Sequence, residues 1–503
     1  MDVAAYRAEA EAFSALLARS SQRFYSGREA ALDLAPLYAR YARLFDGKAV
    51  ETLRARAAAS GEDADRRLLA FAVDGHTARA TAATETELAR REGAATLRVD
   101  GADVPYTGAA AAQAAAADPA RRARIEAARL ELLVSELNPL HRERLELTHA
   151  VSRALGWPSH RARCEALTGV DLAGLGGEAN TLLRLTRPRL EEITGAALAH
   201  AAGVSRDRVR RCDLPRLRRA PALDALFPPE RLLGALAATL AGLRLDDGAR
   251  PAIMLDADAR PGKSARAFCA AVGVPGEVHL VVAPGGGRDD YAALLHEAGH
   301  AHHLAGTDPA LGIESRRLGD PAVGEAFGFC FERLVSDPHW LDRRLGLSSA
   351  AAAGVAVHAR AVRLLDVRRH AAKLGHELAL HDAPADLDAI AGEYSRALGE
   401  ATGVPWPRAP FLADVDPNFY TAAYLRGWAL EAQLTTVLHE RYGALWFEDP
   451  HAGAFLRELW WDGQRHDAET LHARLGAGRL DLTVLAGRPE GGGGFTPARA
   501  RWR

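Results

Sequence analysis

Along most of this chain, apolar residues recur every three or four positions, the spacing of one face of an α-helix. Segments such as Ala8–Leu17 and Ala49–Ala59 show this period. Arg121–Leu155 and Leu182–Ala202 extend it into two long predicted helices, and the alanine tract Ala109–Ala117 favours helix by intrinsic propensity. The pattern therefore predicts a mainly α fold.

Three short segments break this period. Thr96–Tyr106 alternates around Asp100-Gly101, which predicts a small β-hairpin. Ile253–Leu255 and Val278–Val282 predict short strands, and the second runs into a glycine-rich turn. We therefore expect a small β-structure in an otherwise helical protein.

A metal-binding motif, His296-Glu297-Ala298-Gly299-His300, lies on the helix predicted after that turn. Positions i and i+4 of a helix share one face, so both imidazoles point at one metal ion. Glu297 is rotated aside, where it reaches a metal-bound water rather than the metal itself. Metallopeptidases use this combination of Lewis acid, water and general base. Chance placement produces the motif in about one chain of this composition in twenty, so the flanking sequence matters.

The flanking sequence supplies a helix start and a third ligand. The motif helix is predicted to begin near Arg288, with Asp289 or Asp290 as its cap. Downstream, Glu325 and Glu332 lie seven positions apart on one face of a largely apolar predicted helix. Buried carboxylates are costly unless a cation compensates them. We therefore predict Glu325 as the third metal ligand and Glu332 as a hydrogen-bond partner of a ligating histidine.

Other short matches accompany the motif. His-Glu-x-Gly-His-x-x-His spans His296–His303, and Glu325 follows 25 positions after His300. Phe419-Tyr420, Tyr424 and Gly427 form the pattern Phe-Tyr-x-x-x-Tyr-x-x-Gly. In these features the chain resembles the thimet oligopeptidase and oligoendopeptidase F family of zinc metallopeptidases. The likeness is strong over roughly residues 250–435 and weak but collinear from about 90 to 480.

Two further segments resemble the same family. Gly262–Cys269 is similar to its Lys-x-Gly-Ala-Phe segment, except that Arg266 stands where the family usually has glycine. Asp118–Arg124 is similar to a stretch that opens one of its early helices. One departure concerns a family histidine before the tyrosine pair. Asp414–Asn418 is the corresponding segment here and contains no histidine, which leaves substrate range and rate open.

The resemblance implies a two-lobed, helical zincin-type peptidase with a deep central groove and a small β-sheet next to the metal helix. It implies that Val278–Val282 is an edge strand pairing with the substrate backbone, which makes His279 and Val281 substrate-binding residues. It further implies that Tyr420 or Tyr424 stabilises the oxyanion and that His303 lies next to the metal ligands.

Composition narrows the choice of partners. The chain has 503 residues, a formal net charge of −2 and a pI near 6.8, which give no reason to expect nucleic acid or a membrane surface as a partner. No uncharged apolar run reaches the ~18 residues of a membrane span, and the N-terminal segment is unlike a signal peptide. Four cysteines without CxxC spacing are typical of reduced, mostly buried thiols, so we expect a cytoplasmic protein.

One further prediction concerns Asp213, which follows Arg210-Arg211-Cys212. It is expected to be a solvated ion-pair residue.

The predicted organisation is a helical N-terminal lobe over residues 1–230 that contributes one groove wall, a zinc-binding catalytic lobe over 231–485, and a flexible tail over 486–503. The predicted activity is hydrolysis of short oligopeptides with one zinc ion per chain, held by His296, His300 and Glu325, and with Glu297 as the general base.

Two alternatives stay open. A metallocarboxypeptidase of related helical fold would need a cationic group for the substrate carboxylate. A divergent member that acts on a non-peptide amide, or only binds peptides, is favoured by the missing histidine. The intact Glu297 argues against a pure binder, which has no use for a general base.

Overall fold

The computed structural model describes residues 2–246, 252–382 and 386–487. It is 73% helix and 5% strand, so the predicted mainly α fold is confirmed. Within the described ranges it has 21 α-helices and five strands. None of the helices in these ranges has both the length and the apolar character that a membrane crossing requires.

The N-terminal helices lead into the predicted hairpin. They are α1 (Val3–Tyr25), α2 (Ala35–Arg40), α3 (Gly47–Ser60) and α4 (Asp63–Ala94). Strands β1 (Thr96–Val99) and β2 (Ala102–Pro105) pair antiparallel, which confirms the hairpin. Asp100 and Gly101 between them have φ angles of 55° and 77°, and a type I′ turn needs positive φ at both central positions.

The next eight helices include both predicted long ones. They are α5 (Tyr106–Ala115), α6 (Pro119–Leu132), α7 (Asn138–Ala154), α8 (His160–Thr168), α9 (Leu172–Arg189), α10 (Gly195–Ala202), α11 (Leu214–Arg219) and α12 (Pro229–Gly242). One π-helical turn joins α6 to α7 and another joins α9 to α10. Pro139 and Pro188 lie beside these turns, where a missing backbone N–H disturbs the regular hydrogen-bond ladder.

A buried ion pair ties α6 to the segment before α11. Arg122 Nε donates to Asp213 Oδ1 at 2.7 Å, and the two side chains are 0% and 3% exposed. The expectation that Asp213 is solvated is therefore wrong. Arg122 also donates to the carbonyls of Ala116, Ala117 and Ala202, so its remaining donors are satisfied inside the protein.

A three-stranded sheet lies beside the helix that carries the metal motif. Its strands are β3 (Ile253–Asp256), β4 (Phe268–Gly273) and β5 (Glu277–Val281), in the order β3-β5-β4. β5 is parallel to β3 and antiparallel to β4. The predicted strands are present, but the expectation that Val278–Val282 is an edge strand is wrong, because β5 is bonded on both sides. β4, which the sequence pattern does not predict, forms the edge next to the motif helix.

The C-terminal part is helical throughout the described residues. Its helices are α13 (Arg288–Ala305), α14 (Ile313–Arg316), α15 (Pro321–Glu332), α16 (Pro338–Leu345), α17 (Ser349–His381), α18 (Leu387–Thr402), α19 (Tyr420–Tyr442), α20 (Pro450–Trp461) and α21 (Ala468–Arg474). α15 packs between α13 and α19, α13 also packs on β4, and α17 packs on α19. These contacts bring the two glutamates of α15 between the motif helix and the tyrosines.

The largest apolar cluster extends from Cys164 to Leu482 and includes the fully buried rings of Trp340 and Trp460. This cluster contains residues from both sides of the expected lobe boundary between residues 230 and 231. The division into two lobes therefore stays a prediction. The four cysteines are unpaired and three are buried, as expected. Of the predicted tail, residues 488–503 lie outside the described residues.

Candidate metal centre

The motif helix begins where the sequence predicts but with a different cap. Gly287, at φ 86°, is the N-cap of α13, and no side chain caps the helix. Asp290 instead accepts a hydrogen bond from the Gly285 N–H at 2.8 Å, within the turn before the helix. The prediction of an aspartate cap is therefore wrong. The predicted periodicity is unaffected, and His296 and His300 lie one turn apart with their Nε2 atoms 3.0 Å from each other.

Glu325 completes a group of three converging ligand atoms. Its Oε2 lies 3.5 Å from His296 Nε2 and 4.0 Å from His300 Nε2. Together with the 3.0 Å between the imidazoles, these separations define a point about 2.1 Å from all three atoms, the length of zinc–nitrogen and zinc–oxygen bonds. Among the described residues, no other group of three His, Cys, Asp or Glu side chains converges in this way.

The environment of Glu325 also fits a cation. Its side chain is only 6% exposed, and Oε2 has no hydrogen-bond partner. A buried carboxylate oxygen without a partner is costly. Because this oxygen faces the two imidazoles, a metal ion held by all three groups would satisfy it. The residues present therefore fit a divalent metal ion.

Glu332 lies behind His296. His296 Nδ1 is 3.0 Å from Glu332 Oε2, so the contact predicted between Glu332 and a motif histidine is present. With Nδ1–H donating to the carboxylate, the lone pair of Nε2 points towards the other ligands. Glu332 thereby selects the tautomer of His296 that can bind a metal.

His303 is placed differently from the ligands. It is 1% exposed, and its Nε2 lies 3.1 Å from the carbonyl of Gly463. Its ring packs on Phe327 with centroids 4.8 Å apart. The structure thus places His303 where it anchors the motif helix to the turn after α20, with its imidazole bonded away from the metal ligands.

Glu297 projects beside the ligand group towards β4. Its Oε2 accepts a hydrogen bond from the Cys269 N–H at 2.8 Å. Burial raises the pKa of Glu297, and the charges of His296 and Arg266 together with the Cys269 hydrogen bond oppose this rise. A half-buried carboxylate with a raised pKa, fixed by one backbone donor, suits a general base.

Two glycines explain how the ligands come so close. A Cβ atom on Gly299 would lie 2.4 Å from the carbonyl oxygen of Phe327, and one on Gly427 would lie 2.8 Å from Glu325 Cβ. Any larger residue at either position would force α15 away from α13 or α19. The glycines of the His-Glu-x-Gly-His and Tyr-x-x-Gly patterns therefore serve helix packing at the site.

The two candidate tyrosines have different surroundings. Tyr420 donates from its hydroxyl to Glu325 Oε1 at 2.7 Å. Tyr424 packs against Tyr420 with ring centroids 5.0 Å apart, and its hydroxyl has no hydrogen-bond partner among the described residues. Burial and the charge of Glu325 raise the pKa of Tyr424 to about 12, so the hydroxyl keeps its proton and stays a donor.

A strained turn sets the start of α19. Asn418 and Phe419 have φ angles of 50° and 59°, which are uncommon for residues other than glycine. The Asn418 side chain accepts from Arg163 at 2.9 Å and donates to Asp74 at 3.0 Å. The Phe419 ring stacks on His160 with centroids 5.9 Å apart. These contacts hold the turn that aims Tyr420 at Glu325.

His279 and Val281 do not face a free strand edge. Both lie on the central strand β5, where His279 Nε2 is 3.0 Å from Glu277 Oε1 and Val281 is 1% exposed. The expectation that they pair with a substrate backbone is therefore wrong, because both sides of β5 are already bonded within the sheet. The strand edge nearest Glu297 belongs to β4.

One residue near the site has no signal in the sequence pattern, and a second has only a weak one. His370 of α17 packs on the rings of Tyr424 and Trp428, with centroids 5.5 and 5.0 Å apart, and its Nδ1 bonds the Asp366 carbonyl at 2.7 Å. No local pattern marks it, because its position depends on how α17 packs on α19. Arg266 lies just before β4, and the only sign of it is the arginine at a position where the resembling family has glycine.

Comparison with models of known protein families finds no match to this chain, and no curated protein matches it either. The resemblance to the oligopeptidase family therefore rests on the sequence motifs alone.

Proposed function

We propose that the chain is a zinc-dependent peptidase that hydrolyses short oligopeptides. The observation that supports this most directly is the convergence of His296, His300 and Glu325 on one point, with Glu297 next to them but outside the ligand group. Two imidazoles and one carboxylate suit zinc, and a site with three protein ligands leaves a position for water or substrate.

Each residue has a distinct role in this proposal. His296, His300 and Glu325 would hold the zinc, while Glu332 orients His296 and Tyr420 orients Glu325. When bound, zinc polarises the substrate carbonyl and lowers the pKa of a water to about 7.

Proton transfer and oxyanion stabilisation fall to two other side chains. Glu297 accepts the proton of the attacking water on a carboxylate oxygen and passes it to the leaving amine. Tyr424, whose hydroxyl is not engaged elsewhere in the described part of the chain, donates to the oxyanion of the tetrahedral intermediate.

The fold proposed for this activity is a two-lobed, zincin-type helical peptidase with the site in a groove. Partial burial of the ligands supports it, since the side chains of His296 and His300 are 12% and 19% exposed. Such a site admits an extended peptide more readily than a folded protein. We also propose a cytoplasmic location, which the four unpaired cysteines support.

Metal analysis combined with a peptide library, read by mass spectrometry, tests the proposal. We expect about one zinc per chain and cleavage that a chelator abolishes. The Glu297→Gln variant is the matched control, because it keeps shape and ligands but lacks the base. It should retain zinc and lose turnover by orders of magnitude. Near-normal cleavage by this variant would overturn the mechanism.

A metallocarboxypeptidase is the second candidate. It requires a cationic group near the metal that can hold the C-terminal carboxylate of the substrate. Arg266 favours this candidate, because it is exposed, has no ion-pair partner among the described residues and lies three positions before Cys269, whose N–H bonds Glu297.

A further inference from the structure

We propose that Arg266 binds the C-terminal carboxylate of a peptide substrate and so directs hydrolysis to bonds near the C-terminus. The inference rests on the proposed peptidase function and identifies the part of the substrate that this side chain recognises.

The backbone on both sides of Arg266 is fixed. Lys263 Nζ lies 3.0 Å from Asp256 Oδ1, and the Ser264 N–H donates to the Tyr25 carbonyl at 2.8 Å. On the other side, Cys269 donates to Glu297. Three residues of extended chain span at most about 11 Å. Arg266 is therefore held within a short, anchored segment that ends at the proposed general base.

The segment also has its own internal support. The Ser264 hydroxyl donates to the carbonyl of Arg266 at 2.9 Å, and Ala267 next to it is buried. The arginine side chain itself is exposed. Its backbone is thus ordered while its guanidinium is accessible to a ligand.

The guanidinium has no ion-pair or hydrogen-bond partner among the described residues. By contrast, the neighbouring cations Arg260 and Lys263 both pair with Asp256. An unpaired arginine beside a catalytic cleft is suited to a carboxylate ligand, because its planar fork can donate two parallel hydrogen bonds.

The charge of Arg266 acts on the catalytic side of the site. Arg266 is three residues before Cys269, whose N–H donates to Glu297 at 2.8 Å, and its charge acts on both Glu297 and Tyr424. The arginine therefore lies on the side of the site that holds the base and the proposed oxyanion donor. A substrate whose scissile carbonyl lies between those two groups would have its C-terminal portion within reach of this cation.

The distance over which Arg266 can reach a C-terminal carboxylate limits the length of the peptide fragment that is released. An extended peptide covers about 3.3–3.6 Å per residue, so the anchored arginine is compatible with a leaving fragment of one or two residues. A peptide that extends far on both sides of the scissile bond would have no C-terminal carboxylate at this place for the cation to bind. The departure from glycine at position 266 therefore points to exopeptidase action from the C-terminus.

A binding experiment tests carboxylate recognition separately from catalysis. N-terminally fluorescein-labelled peptides of one sequence, with a free or an amidated C-terminus, are titrated into zinc-loaded Glu297→Gln protein and followed by anisotropy. The free acid should bind about 10- to 100-fold more tightly than the amide, as for a hydrogen-bonded charge pair. Adding Arg266→Ala should remove this difference, and Arg266→Lys should restore part of it.

The matched control is Arg142→Ala, which removes an exposed arginine from α7 and changes the net charge equally. It should leave both affinities unchanged, and zinc content and thermal stability verify that each variant is folded. In the active background, Arg266→Ala should raise KM for free acids and leave kcat nearly unchanged, and mass spectrometry should show one or two C-terminal residues released by the unmodified protein.

Equal effects of Arg266→Ala on the acid and the amide, or no effect on either, would overturn the inference. Cleavage of amidated and free peptides at the same internal bonds would also overturn it while leaving the peptidase proposal intact. Absence of any zinc-dependent cleavage would instead refute the proposed function itself.

Discussion

Replacing Tyr420 by phenylalanine should weaken zinc binding, whereas the same change at Tyr424 should slow catalysis. Tyr420 donates to Glu325 Oε1 at 2.7 Å, and the Glu325 side chain is 6% exposed, so water cannot readily replace the lost donor. Hydrogen bonds to charged groups contribute about 1.5–3 kcal/mol. If that contribution orients Glu325 for the metal, its loss lowers zinc affinity about 10- to 100-fold.

Tyr424→Phe is the matched control because it removes the same atom one helical turn away. Its hydroxyl bonds no metal ligand in the described structure, so zinc affinity should stay within about twofold while kcat falls about 10²–10³-fold. Competition with a chromophoric chelator measures zinc affinity, and initial rates at saturating peptide measure kcat.

Unchanged zinc affinity in Tyr420→Phe would refute the positioning role of Tyr420. A loss of zinc in both variants would show that the tyrosines support the packing of α15 rather than separate chemical steps. If neither change lowers kcat, both residues serve packing alone.

Three further predictions concern the metal, pH and substrate size. His300→Ala should lose most of its zinc, and stoichiometric zinc after that change would remove His300 from the ligand set. Burial lowers the pKa of His149 to about 4 and of His381 to about 3, and His149 Nε2 lies 3.0 Å from His381 Nδ1. The unfolded chain binds protons at these histidines below about pH 6.5, whereas the folded chain binds them only at lower pH. Their contribution to the free energy of unfolding should therefore be fully present above about pH 6.5 and be lost on acidification. Urea unfolding at pH 7 and 5 measures the free energy of unfolding at each pH. Its decrease between the two should be smaller in His149→Phe than in the unmodified protein, by up to about 2 kcal/mol, and parallel profiles for the two proteins would contradict this. Peptides of roughly 5–20 residues should be cleaved and native globular proteins left intact, because strand-like pairing needs an extended segment; digestion of a folded protein would refute confinement.

The sequence was informative wherever the determining interactions are local. The helical period predicts the mainly α fold and several of its helices, the Asp100-Gly101 pair predicts the hairpin turn, and the i, i+4 spacing of His296 and His300 puts both imidazoles on one face. Each of these depends on backbone geometry within about one turn of chain. The seven-residue spacing on α15 likewise puts Glu325 and Glu332 on one side of one helix.

Features that depend on contacts between distant segments were decided only by the tertiary structure. An apolar run such as Val278–Val282 is compatible with an edge or a central strand, and its place depends on whether β3 and β4 both bond to it. The same holds for Tyr420, whose hydroxyl meets Glu325 from 95 residues away, for His370 against Tyr424, and for the position of Arg266 near Glu297. A single sequence specifies which side chains are available, but which of them meet depends on helix packing and strand order, since these arise from burial summed over the whole chain.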